Sequence, residues 1–132
     1  MKLENHMKKL KEHIDGLEWG IRQDNHSAVG FHASQGAIEL VSIYLHNMSL
    51  ITGDVQLKHT WFRSKRAMEE RLGFSFPCKK EIFDLISGIE GLRNPLCYGA
   101  PKPDESIIII AEKFRRLKAV IEKELGEKLD QT

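Results

Sequence analysis

Arg93 and Asn94 stand side by side near the end of an amphipathic segment, in the stretch Arg93-Asn94-Pro95-Leu96-Cys97-Tyr98-Gly99. Arginine is well suited to holding a phosphate, because its planar fork of N–H donors meets two oxygens at once. An asparagine beside it can orient the anion or a second reacting group. Tyr98 follows, and a phenol can donate a proton or stack on a base. With ordinary acidity only about one part in a thousand of a phenol is ionised at pH 7, so it is a poor general base. Were Arg93, Asn94 and Tyr98 to form a site, their chemistry would bind an anion better than it moves a proton. On spacing alone the favoured reading is a helix C-terminus at which a cation and an amide satisfy the last carbonyls. His32, on a separate apolar segment, is a further ligand-binding candidate and an imidazole that would have to reach across to serve that site.

The elements that must position these residues are helices. Leu3, Met7, Leu10, Ile14, Leu17 and Ile21 recur at alternating spacings of four and three, the stripe of a first amphipathic helix. Gly16 and Gly20 lie on a second face, where they weaken the helix unless another backbone packs closely against them. Asp24-Asn25-His26-Ser27 is turn and capping chemistry. A second helix, about Ser27 to Met48, is apolar on most sides and belongs in the middle of a bundle or at a subunit interface. Gly53-Asp54 marks a turn. A third helix is expected over about Leu57 to Leu72, ended by Gly73 and Pro77. A fourth, about Lys79 to Arg93, carries Ile82, Leu85, Ile86, Ile89 and Leu92 on one stripe. Pro95 disfavours helical geometry at Asn94, so the chain is expected to bend there. After the loop Gly99-Ala100-Pro101-Lys102-Pro103, Asp104 is a plausible N-cap for a last helix over Glu105–Leu125. Gly126 closes that helix and a frayed tail follows. With no convincing strand alternation, the chain reads as one all-α domain over 1–132, an antiparallel up-and-down bundle of four to five helices.

Composition narrows the function classes. Hydrophobic residues at 41% and charged residues at 30% describe a globular chain, and a net charge of +1 provides no global basic field for nucleic acid. Any RNA contact must come from a local patch. Cys78 and Cys97 fit neither a metal-ligand spacing nor a disulfide framework, which points to a reducing compartment, and the charged N-terminus is unlike a signal peptide. The longest aliphatic run, Ile107 to Ala111, is too short to span a bilayer. The expected address is the cytoplasm, with no membrane partner. His6 and His13 share a helix face amid lysines and glutamates, a solvated side, and no Glu-x-x-His pair is present, so no metal site and no cofactor are expected. Lys58, His59, Arg63, Lys65 and Arg66 beside Trp61 and Phe62 resemble a single-strand nucleic-acid surface. Glu69 and Glu70 dilute that run, and it reads more simply as a solvated helix face whose aromatics turn inward. Cys97 reads as a small packing residue.

The order of helices and two motifs together resemble the HEPN superfamily, helical domains associated with nucleotidyltransferases. Phe31-His32-Ala33-Ser34-Gln35-Gly36-Ala37-Ile38-Glu39-Leu40 in the second helix is similar to the family's pattern of aromatic, small residue, Gln, Ala and Glu. Arg93-Asn94 after the fourth helix is similar to its Arg-Asn-x-x-x-His motif, with Tyr98 at the histidine position. The resemblance implies a homodimer whose paired motifs line a shared groove. It also implies binding of RNA or a nucleotide, and in many members metal-independent ribonuclease activity, often that of a toxin controlled by a partner nucleotidyltransferase. The chain departs from the pattern at Tyr98, at Ala100 where toxin-type members carry a tyrosine, and at Ile43 where a lysine is frequent. The expectation is a homodimeric binding or regulatory module with a degenerate nuclease motif. The alternative is an active ribonuclease in which Tyr98 or His32 takes the histidine's part. The dimer is expected from the apolar surface of the first two helices.

Overall fold

The computed structural model describes residues 3–53, 55–98 and 104–129, and among these the chain is all-α with no strand. The elements are α1 (Leu3–Arg22), α2 (His26–Asn47), a 3-10 turn (His59–Phe62), α3 (Lys65–Arg71), α4 (Lys79–Tyr98) and α5 (Asp104–Leu125). The bundle is antiparallel. Gly20 of α1 faces Ala28 and Val29 of α2, Gly16 faces His32, and His6 reaches Glu39. On another side of α2, Ser27 meets Cys97, Gly30 meets Leu96 and Ser34 meets Glu90, so α4 also runs against α2. Cys78 beside Glu124, and Gly88 beside Lys113, set α5 against α4.

α2 is the central helix, packed by α1, α4 and α5. Its apolar circumference is thereby used inside the protomer, with Val29, Ala33, Leu40, Val41 and Leu45 fully buried. Asn25 caps it, its side chain accepting the Ala28 N–H at 3.0 Å, and Asp24 turns the chain with φ of 52°. Gly126, at φ of 75°, ends α5 as expected. The tail beyond it is not frayed up to Leu129, which is buried and donates its N–H to Glu122 at 2.8 Å.

Three expectations are corrected. The buried stripe of α1 is His6, Leu10, Ile14, Leu17 and Gly20, with Leu3 left 42% exposed. Met7 and Ile21 pack against the core from its margin, and Gly16 and Gly20 meet α2 closely, both as expected. The correction on α1 is His6, which is buried instead of solvated, and His13, which is half-buried. The third helix is broken into the 3-10 turn and α3, because Ser64 leaves helical geometry and its hydroxyl accepts the Ala67 N–H as an N-cap. Finally, α4 does not bend at Asn94 but continues through Pro95 to Tyr98. The carbonyl that Pro95 deprives of a partner is that of Gly91, an exposed residue with open space around it, and burial of Leu96 against α2 holds the last turn in place. The loop of Gly99 to Pro103 and Asp54 of the Gly53 turn lie outside the described residues, and α5 begins at Asp104 itself.

Candidate functional site

The continuation of α4 changes what Arg93 can touch. It lies inside the helix, more than a turn from its end, and caps no carbonyl. Tyr98, five residues on, is rotated by about 140° and displaced by about 7.5 Å along the axis. It is 77% exposed. Arg93 and Tyr98 thus face different directions, and only a bend at Asn94 would have joined them. Asn94 is exposed next to Arg93. His32 faces the other way altogether. Its ring fills the notch left by Gly16 of α1, and its Nδ1 lies 3.1 Å from Nδ1 of His13. Gly30, two residues earlier and so on the opposite side of α2, is the residue that meets Arg93 and Leu96. Of the sequence candidates, the structure brings together Arg93 and Asn94 alone.

A group not anticipated from sequence stands beside Arg93. Glu90, one turn earlier on α4, is 7% exposed, and both of its oxygens are engaged. Ser34 of α2 donates its hydroxyl to Oε2 at 3.0 Å, and His59 of the 3-10 turn meets Oε1 through Nδ1 at 2.7 Å. Arg93 is half-buried and its Nε is enclosed without a hydrogen-bond partner among the described residues. At the next turn Cys97 packs against Gly30, with Sγ 3.6 Å from the Ser27 carbonyl. Burial pushes the Cys97 thiol up, the Arg93 guanidinium opposes that shift and Glu90 adds to it. Ser34, His59, Glu90, Arg93 and Cys97 therefore occupy one seam between α2 and α4. The signal available in the sequence was Glu90 itself, an acid on the same stripe as Ile82, Ile86 and Ile89, where no charge belongs without a partner.

The basic run at 58–66 is largely committed elsewhere. Phe62 is fully buried, Arg71 lies over Trp61 at 5.2 Å, Arg66 pairs with Glu70 and Lys65 approaches Asp84. Among the described residues no three His, Cys, Asp or Glu side chains gather as a metal-binding group, and no helix is long and apolar enough to cross a membrane.

The α1–α2 seam holds His6, His13, His32 and His46, and three of them are expected to make stability pH-dependent. Burial lowers the His13 pKa, and the neighbouring His32 lowers it further; burial lowers His32. His46 is lowered by burial and then by His6, whose ring centroid lies 5.2 Å away. Each folded-state value sits below the ordinary 6.5. The unfolded chain then takes up protons first, so this contribution is complete above that value and is lost as pH falls below it through the lowered values. Thermal melts are expected to show a lower Tm at pH 5.5 than at pH 8, with the difference reduced in His13→Asn. An unchanged difference in that variant would remove His13 from the account.

No protein-family model matches this chain, and neither a curated protein nor a solved structure does.

Proposed function

We propose that this protein is a HEPN-like homodimeric binding or regulatory module that takes a phosphate of RNA or of a nucleotide on Arg93. The observation that carries this reading is the unpaired state of Arg93. Its natural partner on α4 would be Glu90, three residues earlier, but both Glu90 oxygens are held by Ser34 and His59. The cation is thus left without a carboxylate among the described residues, half out of water, where a charge-assisted bond to an anion is strengthened. Asn94 supplies a neutral donor beside it. Tyr98 and His32, turned to other sides of their helices, support binding at this site better than proton transfer through either of them.

Dimerisation is proposed on a different footing from the apolar character of α2, which is consumed within the protomer. Trp19 at 47%, Phe31 at 41%, Ile108 at 62% and Ile109 at 44% exposure leave apolar surface for a second copy. Light scattering showing a monomer at micromolar concentration would remove the dimer. A nucleotidyltransferase is the proposed protein partner, and an intracellular, cytoplasmic setting suits the two free cysteines.

The test is binding of a fluorescent single-stranded oligoribonucleotide, followed by anisotropy, with a nucleoside triphosphate as competitor. Arg93→Ala is expected to weaken binding about tenfold or more, the equivalent of losing a charge-assisted bond of roughly 1.5–3 kcal/mol. Equal affinity of Arg93→Ala and the wild type would overturn the reading.

A further inference from the structure

We propose that His6 and His46 form a binding site for a zinc-type divalent ion, which fastens the start of α1 to the end of α2. The inference is independent of the Arg93 reading. It begins from two nitrogens that the fold leaves unanswered. His6 is 3% exposed, and its Nε2 is enclosed with no hydrogen-bond partner among the described residues. Nε2 of His46 is enclosed and unpartnered in the same way. The two rings are neighbours, with centroids 5.2 Å apart and planes inclined by 35°. A buried polar atom without a partner is costly and rare, and two of them on adjacent imidazoles call for a shared ligand.

Three features favour a cation over a bridging water. Glu39 meets His6 Nδ1 at 2.5 Å, so the ring proton is held there and the Nε2 lone pair points away from the carboxylate. A carboxylate behind an imidazole is the usual outer partner of a metal-bound histidine, because it fixes the tautomer and raises the basicity of the liganding nitrogen. The ring spacing fits as well. Two imidazoles bound at about 2.0–2.1 Å to one tetrahedral ion have ring centres about 5.2 Å apart, the separation that His6 and His46 already show. Finally, His46 lies in the last turn of α2, where the carbonyl end of the helix favours positive charge. Imidazole nitrogens suit zinc, copper or nickel better than calcium or magnesium, which take oxygen ligands. Only two side chains take part, so water completes the ion from the half-buried side of His46, as at zinc sites that keep open positions. His13 and His32 are a different case, since their Nδ1 atoms meet at 3.1 Å and satisfy each other.

The deciding experiment titrates Zn2+ alone into the full chain, made without a histidine tag and stripped of metal with EDTA, in competition with a chromophoric chelator. The wild type is expected to take up one ion per chain, and excess Zn2+ to raise Tm by about 5 °C. Co2+ in its place is expected to give the visible absorption of a four-coordinate ion with nitrogen ligands. His46→Gln leaves His6 and Glu39 paired; it is expected to weaken binding by about tenfold or more and to abolish the rise in Tm. His46→Asn serves the same purpose if the glutamine variant does not fold. Glu39→Gln can still accept from His6, and it is expected to weaken binding by about 10–100-fold, as loss of an outer partner does. His13→Asn is expected to bind as the wild type does. No uptake by the wild type overturns the site and makes the enclosed nitrogens a place for water. Wild-type affinity in His46→Gln overturns it too, as an adventitious ion only. Loss of binding in His13→Asn with retention in His46→Gln would assign the ion to the other histidine pair.

Discussion

Replacing His6 by alanine is expected to destabilise the fold by about 3–5 kcal/mol, the range found when one member of a buried polar pair is removed. His6 and Glu39 meet at 2.5 Å across the α1–α2 seam with side chains 4% and 11% exposed. No other hydrogen bond holds the Glu39 carboxyl among the described residues. Its loss of His6 therefore leaves an acid in an apolar wall between α1 and α2, where desolvation is uncompensated. The pair itself is a different matter. His6 carries an enclosed Nε2 with no partner, so the pair is already imperfectly satisfied. The double replacement His6→Leu with Glu39→Leu is expected to recover most of the loss, because two matched apolar side chains bring no desolvated groups. Urea denaturation of the single and double variants checks both statements. A single variant within about 1 kcal/mol of wild type would show that water reaches Glu39 and that the seam is less dry than its exposure implies.

Gly30→Val is the second large effect, expected to cost about 3 kcal/mol and to disturb the candidate site as well. A Cβ at this position would lie 2.8 Å from Leu96 Cβ, 3.2 Å from Cys97 Sγ and 3.3 Å from the Arg93 carbonyl. Leu96 Cβ and a backbone oxygen cannot swing aside as the end of a flexible chain can. The last turns of α4 would have to move away from α2, which is overpacking of the kind that costs roughly 1–3 kcal/mol before the extra methyl groups are counted. The gain in helix propensity over glycine, less than about 1 kcal/mol, does not offset it. Because Arg93 sits in the displaced segment, RNA affinity is expected to fall together with the denaturation midpoint. Wild-type affinity and an unchanged midpoint would mean that α4 is not seated on Gly30.

Helix number, order and the closures at Asn25 and Gly126 were legible because each depends on neighbours within a few residues. The stripe on α4 and the apolar circumference of α2 were equally legible, and Phe62 turned inward as its place in a charged run suggested. The errors have local physical causes. Ser64 offers its hydroxyl to its own backbone, and whether it breaks a helix or points to water depends on what surrounds it. Pro95 argued for a bend, and the bend was suppressed by open space at Gly91 and the anchoring of Leu96, neither of which is a property of the dipeptide. His6 looked solvated among lysines and glutamates because its partner, Glu39, is 33 residues away.

The candidate site divides along the same line. Arg93 and Asn94 could be singled out from residue type and adjacency, and the poor basicity of a phenol at Tyr98 follows from its chemistry. Their relation could not be read, since a helix and a bent loop place residue i+5 in opposite senses relative to residue i. Ser34, His59 and Glu90 come from three elements separated by tens of residues, and only the packing of α2, the 3-10 turn and α4 joins them. What the chain's order of residues determined by itself was an all-α bundle with an adjacent arginine and asparagine on its fourth long segment, because periodicity and side-chain chemistry are local. That Glu90 is held by Ser34 and His59 and not by Arg93 was decided by tertiary contact alone, because charges meet through space and not along the chain.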